Sequence, residues 1–459
     1  MNILVLAPSA ASTHGDSRYT RELIQQLRRA GNKVDHLAIG HKYTEMGVEV
    51  GQTFTTLKSH QHCCGIPDPV LEIQDRHEFG ALLIRDGEPK PWQPELPCLQ
   101  GRLMPDDYTA GRSFQFIAAS LRPHVVITIG GADLGVLATA TPLRGGYKHI
   151  HVFTFDGTTP PDSITQGIDA TSVATMLEQA DSVVATSEFA ADAIFSMYKG
   201  TRPLVITEGI DTTVFARLPN DPQELVRRTN STNLVQLTKS GTYSLDVESL
   251  EDTYNILVVG DNTERKNLPM VLETIAKLRR SVKQDKDIRL ILHVPAGGVD
   301  GWDIPLLLKK YKAWSWTYIH YQYTQDFAIT DRDLNALYNS SDIFLSLSSA
   351  EGWSTAALEA TAVEVPVIMQ SFGGVQEWGK NSVFFVNSVA TLVKPGTHET
   401  WSIPDLVDVQ QLLEDAYTDR LPEDQLSGLR STARRYDWSA VSKYWVELLQ
   451  TFQTRETND

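Results

Sequence analysis

The chain has 459 residues, 41% of them hydrophobic and 21% charged, which excludes an intrinsically disordered chain and leaves room for two or more domains. Its 41 basic residues against 57 acidic ones give a formal charge of −16, so non-specific attraction to nucleic-acid backbones or anionic lipid heads is disfavoured, while a local basic cleft can still accept a phosphorylated ligand. Three cysteines, Cys63, Cys64 and Cys98, make no disulfide framework and suit a reducing compartment.

The opening run MNILVLAP carries no basic leader and reads as a first buried strand, 3–6. A helix over 18–30 follows, with Leu23, Ile24 and Leu27 on one face, closed by Arg28-Arg29 and Gly31. Further strands are predicted at 34–39, 125–129, 150–154, 183–186 and 204–206. The apolar stretch 125–143 is broken by Gly130, Gly131, Asp133 and Gly135, so no membrane span is expected and the cytoplasm is the expected location. A second series of strands falls at 256–259, 289–294, 318–321, 343–347 and 365–369, with helices at 268–280, 331–339, 354–363 and 407–417. Such alternation predicts an α/β protein with parallel sheets covered on both faces. The polar stretch 217–253, with Pro219, Pro222 and an acidic run, is the expected linker between a domain of residues 1–216 and one of residues 254–437. The stretch 41–108 reads as an irregular insertion within the first domain, and 438–459 as a final helix.

Residues 341–377 hold most of the candidate chemistry. A strand ends in the small-residue loop Ser348-Ser349-Ala350-Glu351-Gly352-Trp353, and a helix opens at Ser354 or Thr355, either of which is able to cap its free amides. Gly352 permits close backbone approach to a ligand, and a helix N-terminus favours negative charge. On spacing alone, the same residues also read as a capped, alanine-rich core helix with two incidental carboxylates, Glu351 and Glu359.

The combined string is more specific. Glu351-Gly352, Leu358-Glu359-Ala360, Pro366-Val367-Ile368, Gly373-Gly374 and Glu377, preceded by Leu337-Tyr338 and Ser341-Asp342, resemble the donor-site signature of glycosyltransferase family 4. Val258-Val259-Gly260 with Arg265-Lys266-Asn267 resembles that family's strand–loop–helix at the donor diphosphate, with Asp261 where an arginine is frequent. Gly209-Ile210-Asp211 and Phe215 match its exit from the first domain, with Glu208 where relatives often carry Asn or His. The resemblance implies a retaining enzyme of GT-B architecture, two Rossmann-like domains facing a central cleft, with 438–459 crossing back to the first domain. It implies that Glu351 contacts the donor sugar with Gly352, Trp353 and Ser354 beside it, and that Glu359 binds ribose hydroxyls. Arg265 and Lys266, near Gly260, would stabilise the departing diphosphate, Lys266 more so. Gly15 would lie in the loop that faces the diphosphate. Asp156, in Asp156-Gly157, reads either as a group positioning acceptor or sugar or as a plain turn.

The implied co-substrate is a nucleotide-diphosphate sugar, with no cofactor and no metal. The acceptor is a glycan, a lipid-linked group or a small molecule, with nucleic acid less expected. A non-catalytic subunit of this fold and a sugar-nucleotide epimerase are the alternatives. His60, His62, Cys63 and Cys64 lack the second half of a zinc site. Asp285-Lys286-Asp287 reads as a polar turn, and in Asp331-Arg332-Asp333 the first aspartate reads as a helix cap. The aromatic segment 311–316 reads as packing.

Overall fold

The computed structural model describes residues 1–8, 15–42, 72–74, 79–84, 114–115, 117–141, 143–154, 170–198, 200, 202–218, 234–238, 241–244, 253–283, 285–295, 301–320, 330–394 and 400–456. Two compact units emerge. The first comprises Met1–Phe155, Thr159–Thr207 and Val441–Asp459, and the second Asp156–Thr158 and Glu208–Ala440. Among the described residues no helix is long and apolar enough to cross a membrane.

In the first unit, β1 (Asn2–Pro8), β2 (Lys33–Lys42), β5 (Val125–Gly130), β6 (Lys148–Phe153), β7 (Ser182–Ala185) and β8 (Leu204–Val205) run parallel in the order β2-β1-β5-β6-β7-β8. Ile3 registers with Val34 on one side and Val125 on the other. Residues 3–7 of β1 and 125–129 of β5 are nearly continuous apolar runs because both faces of the sheet are buried there, while β6 carries two buried histidines. The helix α1 (Gly15–Arg29) bridges β1 and β2, burying Leu23, Ile24 and Leu27. Outside β2, two antiparallel strands, β3 (Glu72–Gln74) and β4 (Phe79–Ile84), extend the sheet within the stretch read as irregular.

Two of the buried histidines of this unit form a pair. His149 and His151, two residues apart on β6, share a face and reach the Thr128 hydroxyl at 2.9 and 2.7 Å. Burial, helped by the Arg144 charge, pushes His149 down to about 3. Burial, with His149 adding to it, holds His151 well below the usual imidazole value.

The second unit is built on β11 (Thr253–Val259), β12 (Asp287–His293), β13 (Thr317–His320), β14 (Ile343–Ser346), β15 (Val367–Gln370) and β16 (Val383–Val386). Their parallel order, β13-β12-β11-β14-β15-β16, is that of a doubly wound dinucleotide-type sheet. Alternate side chains feed two cores. Ile256, Val258, Leu290 and Leu292 pack under α5 (Leu268–Ser281), α6 (Ile304–Tyr311) and α10 (Leu406–Tyr417). Leu257, Ile291 and Phe344 face α7 (Asp331–Asn339), α8 (Thr355–Ala362) and α11 (Glu423–Arg435). Two antiparallel strands, β9 (Leu234–Thr238) and β10 (Gly241–Ser244), extend this sheet beyond β13, within the stretch read as a linker. A separate hairpin pairs β17 (Ser388–Val393) with β18 (Thr400–Pro404).

The segment 209–215 is tied to the start of α12 (Trp438–Glu456). Ile210 exchanges backbone hydrogen bonds with Tyr436 and Trp438 at 2.9 Å each. The Thr212 amide and hydroxyl donate to Asp437 Oδ2 at 3.0 and 2.6 Å.

Candidate functional site

At the carboxyl end of β14 the chain enters the buried loop 347–353, and other elements fix nearly every turn of it. The Ser349 amide donates to the Arg265 carbonyl, and Ser402, on β18, donates to the Ser349 carbonyl, both at 2.9 Å. Asn267 Nδ2 reaches the Leu347 carbonyl at 2.8 Å and Ser349 Oγ at 2.7 Å. Trp378 Nε1 donates to the Trp353 carbonyl at 2.9 Å. The Trp353 indole itself is buried in the core and meets Tyr436 edge-on at 5.0 Å.

Facing this loop is the 3-10 turn Glu264–Lys266, which Asn267 closes in the left-handed region at φ 49°. That closure turns both cations onto one carboxylate. Lys266 Nζ lies 2.5 Å and Arg265 Nη1 3.2 Å from Glu351 Oε1. Arg265 also donates to Ser348 Oγ at 3.1 Å and to the Ala350 carbonyl at 2.5 Å, so it holds the loop as well as the charge. At Gly260, the end of β11, an added Cβ would come within 3.1 Å of Lys266 Cε. The bare backbone there makes room for the lysine stem. Burial alone would push the Glu351 carboxyl up, but the adjacent Lys266 and Arg265 charges, with hydrogen bonds from Lys266 and Ser348, hold it well below the usual carboxylate range.

The Glu351 backbone depends on a glycine. Gly373 sits at φ +95°, and a Cβ there would fall 1.9 Å from the Glu351 carbonyl oxygen. This close approach lets the Gly374 amide donate to that oxygen at 3.1 Å.

The start of α8 differs from the sequence expectation. Ser354 occupies the cap position at φ 64°, ψ 68° and its side chain caps nothing. Side-chain capping needs an extended backbone, whereas the packed loop turns Ser354 left-handed. Thr355 instead donates its hydroxyl to Glu208 Oε2. Similarly, Thr330 and not Asp331 caps α7, accepting from the Asp333 amide at 3.2 Å. Glu359, on α8, is buried and accepts from the Tyr338 hydroxyl at 2.9 Å.

The structure therefore brings Glu351, Lys266, Arg265, Gly260, Gly352, Trp353 and Ser354 into one neighbourhood of the second unit, with Glu359 on the helix that leaves it. Gly15 is the first residue of α1 in the first unit. Asp156 lies outside the described residues, as do His60, His62, Cys63 and Cys64. Among the described residues no three His, Cys, Asp or Glu side chains are grouped to hold a metal ion. Asp287 pairs with Arg279 at 2.9 Å and Arg289 at 3.2 Å. Trp316 is core, with Arg279 stacked 5.6 Å from its ring. Asn267, Tyr338 and Gly373 stand in the sequence as motif matches and Glu208 as a departure from the motif, and none of the four reveals there what it holds. Ser348 was unmarked, its only signal being its place in the small-residue loop.

Residues 245–402 match the family model described as glycosyl transferases group 1. Solved structures similar to the whole chain include sucrose-phosphate synthase from Thermosynechococcus elongatus, at 16% identity and a TM-score of 0.65, covering 99% of this chain and 100% of that one. An E. coli structure described as trehalose-6-phosphate bound with UDP-2-fluoro glucose is 14% identical, with a TM-score of 0.61 and coverage of 98% and 99%. Anabaena HepE in complex with UDP-glucose is 12% identical, with a TM-score of 0.61 and coverage of 98% and 100%. No curated protein is similar to the chain in sequence. The fold is that of GT-B glycosyltransferases, two Rossmann-like α/β units, and the second unit carries the segment similar to glycosyl transferases group 1.

Proposed function

We propose that this protein is a retaining glycosyltransferase of the family 4 type. It moves a hexosyl or pentosyl group from a nucleotide-diphosphate sugar to an acceptor hydroxyl on a glycan, a lipid-linked group or a small molecule, without a divalent metal. One observation carries the reading: a buried carboxylate, Glu351, held by Arg265 and Lys266 at the mouth of α8, with Glu359 further along that helix. A bond to a diphosphate leaving group breaks more easily where preorganised cations meet the negative charge that develops on it. Lys266 and Arg265 are the groups for that task, as they need only exchange one anionic partner for another. Glu351 then contacts the donor sugar, Gly352 and Trp353 present backbone to it, and Glu359 accepts the ribose hydroxyls. Retention corresponds to attack on the face the diphosphate leaves. Structures similar in fold hold UDP sugars, which makes UDP-glucose the first donor to try.

The test is transfer from a panel of UDP-, GDP- and ADP-sugars in excess EDTA, with the anomeric coupling of the product read by proton NMR. Turnover with retained configuration is expected. Activity that needs added magnesium or manganese, or an inverted product, would refute the corresponding part of the proposal. Conversion of donor with no acceptor present would indicate an epimerase.

A further inference from the structure

Tyr338 lies on α7 with its side chain fully buried. Its ring is held between Phe215, at 6.1 Å and 77°, and Phe344, at 6.1 Å and 46°. The hydroxyl stands 3.0 Å from the Ala356 carbonyl and 2.9 Å from Glu359 Oε2. A phenol has one proton to donate, and a carboxylate attracts it more strongly than a peptide carbonyl does. The aromatic wedge fixes the hydroxyl oxygen, and rotation about its C–O bond turns the proton to Glu359. The long, flexible Glu359 side chain is thereby pinned to a ring that cannot move.

We infer that Tyr338 is a positioning residue for nucleotide recognition: its hydroxyl holds the Glu359 carboxylate in the orientation that accepts the ribose hydroxyls. This rests on the ribose role proposed for Glu359. A glutamate that must find its rotamer on binding gives up affinity that a pre-oriented one keeps. The effect passes only through the sugar hydroxyls of the nucleotide. A purely structural tyrosine, anchoring the first turn of α8 through Ala356, would instead weaken every ligand of the site alike.

Calorimetry with UDP and 2′,3′-dideoxy-UDP, on the full chain, separates the two. Wild type should bind UDP more tightly than its dideoxy analogue. Tyr338→Phe should weaken UDP by roughly five- to tenfold and leave dideoxy-UDP unchanged, which also reports that the variant is folded. On a Glu359→Gln background the same substitution should cost nothing further. Equal weakening of both nucleotides, no weakening at all, or a full loss that persists on the Glu359→Gln background would overturn the inference. If wild type binds UDP without distinguishing it from the dideoxy analogue, the ribose role fails and the inference falls with it; if it binds neither, the same comparison is made with GDP, ADP and their dideoxy analogues. If Glu359→Gln abolishes the distinction and Tyr338→Phe does not, the inference alone fails.

Discussion

Lys266→Met keeps the length and apolar volume of the stem and deletes one charge from the cluster on Glu351. The Glu351 side chain is 6% exposed, against 15% for Lys266 and 16% for Arg265, so the carboxylate depends on its partners more than they depend on it. Removing one side of a buried ion pair costs about 3–5 kcal/mol. Arg265 remains 3.2 Å away and Lys266 is partly solvated, so we expect about 2 kcal/mol. For a unit the size of Glu208–Ala440, that lowers Tm by roughly 4–8 °C. The loss should also depend on pH. Despite burial, the two cations hold the folded-state carboxyl below its ordinary value, so the cluster stabilises the fold above the ordinary carboxylate range and this contribution fades as pH falls below it. Calorimetric melting of wild type and variant should therefore show a gap at neutral pH that narrows on acidification. An equal or higher Tm for Lys266→Met at neutral pH would refute the reasoning. Turnover should fall by about two orders of magnitude or more if the lysine also meets the leaving group. The double variant Lys266→Met/Glu351→Gln removes the unpaired charge and should stay slow. Recovery there would mean that Lys266 serves only to neutralise Glu351.

The parallel strands were legible because burial on both faces leaves a local trace: runs such as Ile3–Ala7 on β1 and Ile256–Val258 on β11 are apolar at every position. The antiparallel edge strands left little. β4 (FGALLI) and β9 (LVQLT) are apolar but short and set in Pro-, Gly- and charge-rich surroundings, β3 and β10 are shorter still, and their pairing comes from the open edges of β2 and β13, which local composition does not record. The site divides along the same line. Glu351, Lys266 and Glu359 were marked by their likeness to a family motif, since spacing alone left both carboxylates readable as incidental. The left-handed turns at Ser354 and Asn267 could not be read in the sequence, because serine is locally a good cap and only the hydrogen bonds of the packed loop override that preference. Arg265 shows the limit most plainly. As a motif residue it looked like a companion to Lys266, yet it also bonds Ser348 and Ala350 and so shapes the loop that carries Glu351. Likewise the glycine pair 373–374 was visible as a match, but the reason for it is a carbonyl oxygen 22 positions earlier in the chain, on Glu351.

Gly373→Ala should be more damaging than Lys266→Met, because it combines a left-handed backbone at φ +95° with a Cβ 1.9 Å from the Glu351 oxygen. About 3 kcal/mol or more of stability should be lost, and a wild-type melting curve would refute that account of the glycine. The histidine pair of the first unit gives a separate test. His149 and His151 are buried and neutral, with folded values of about 3 for His149 and well below the ordinary value for His151. The unfolded chain takes up protons on both near pH 6.5, where the native state does not. Their neutral burial therefore leaves stability undiminished above about pH 6.5 and erodes it as pH falls from there toward the folded values, with a limiting slope of about 1.4 kcal/mol per pH unit for each histidine. Between about pH 7 and pH 5, His149 should lower the stability of the first unit by roughly 2 kcal/mol and His151 should add to that in the same direction, before most exposed carboxylates titrate. Hydrogen exchange of the β5 and β6 amides, corrected for the intrinsic effect of pH, reads this unit separately from the second. A His149→Gln/His151→Gln variant supplies the baseline without imidazoles and should lose much less over the same interval. Equal pH dependence in variant and wild type, or none in either, would mean that the two rings are protonated inside the fold and that the Thr128 network accepts their charge.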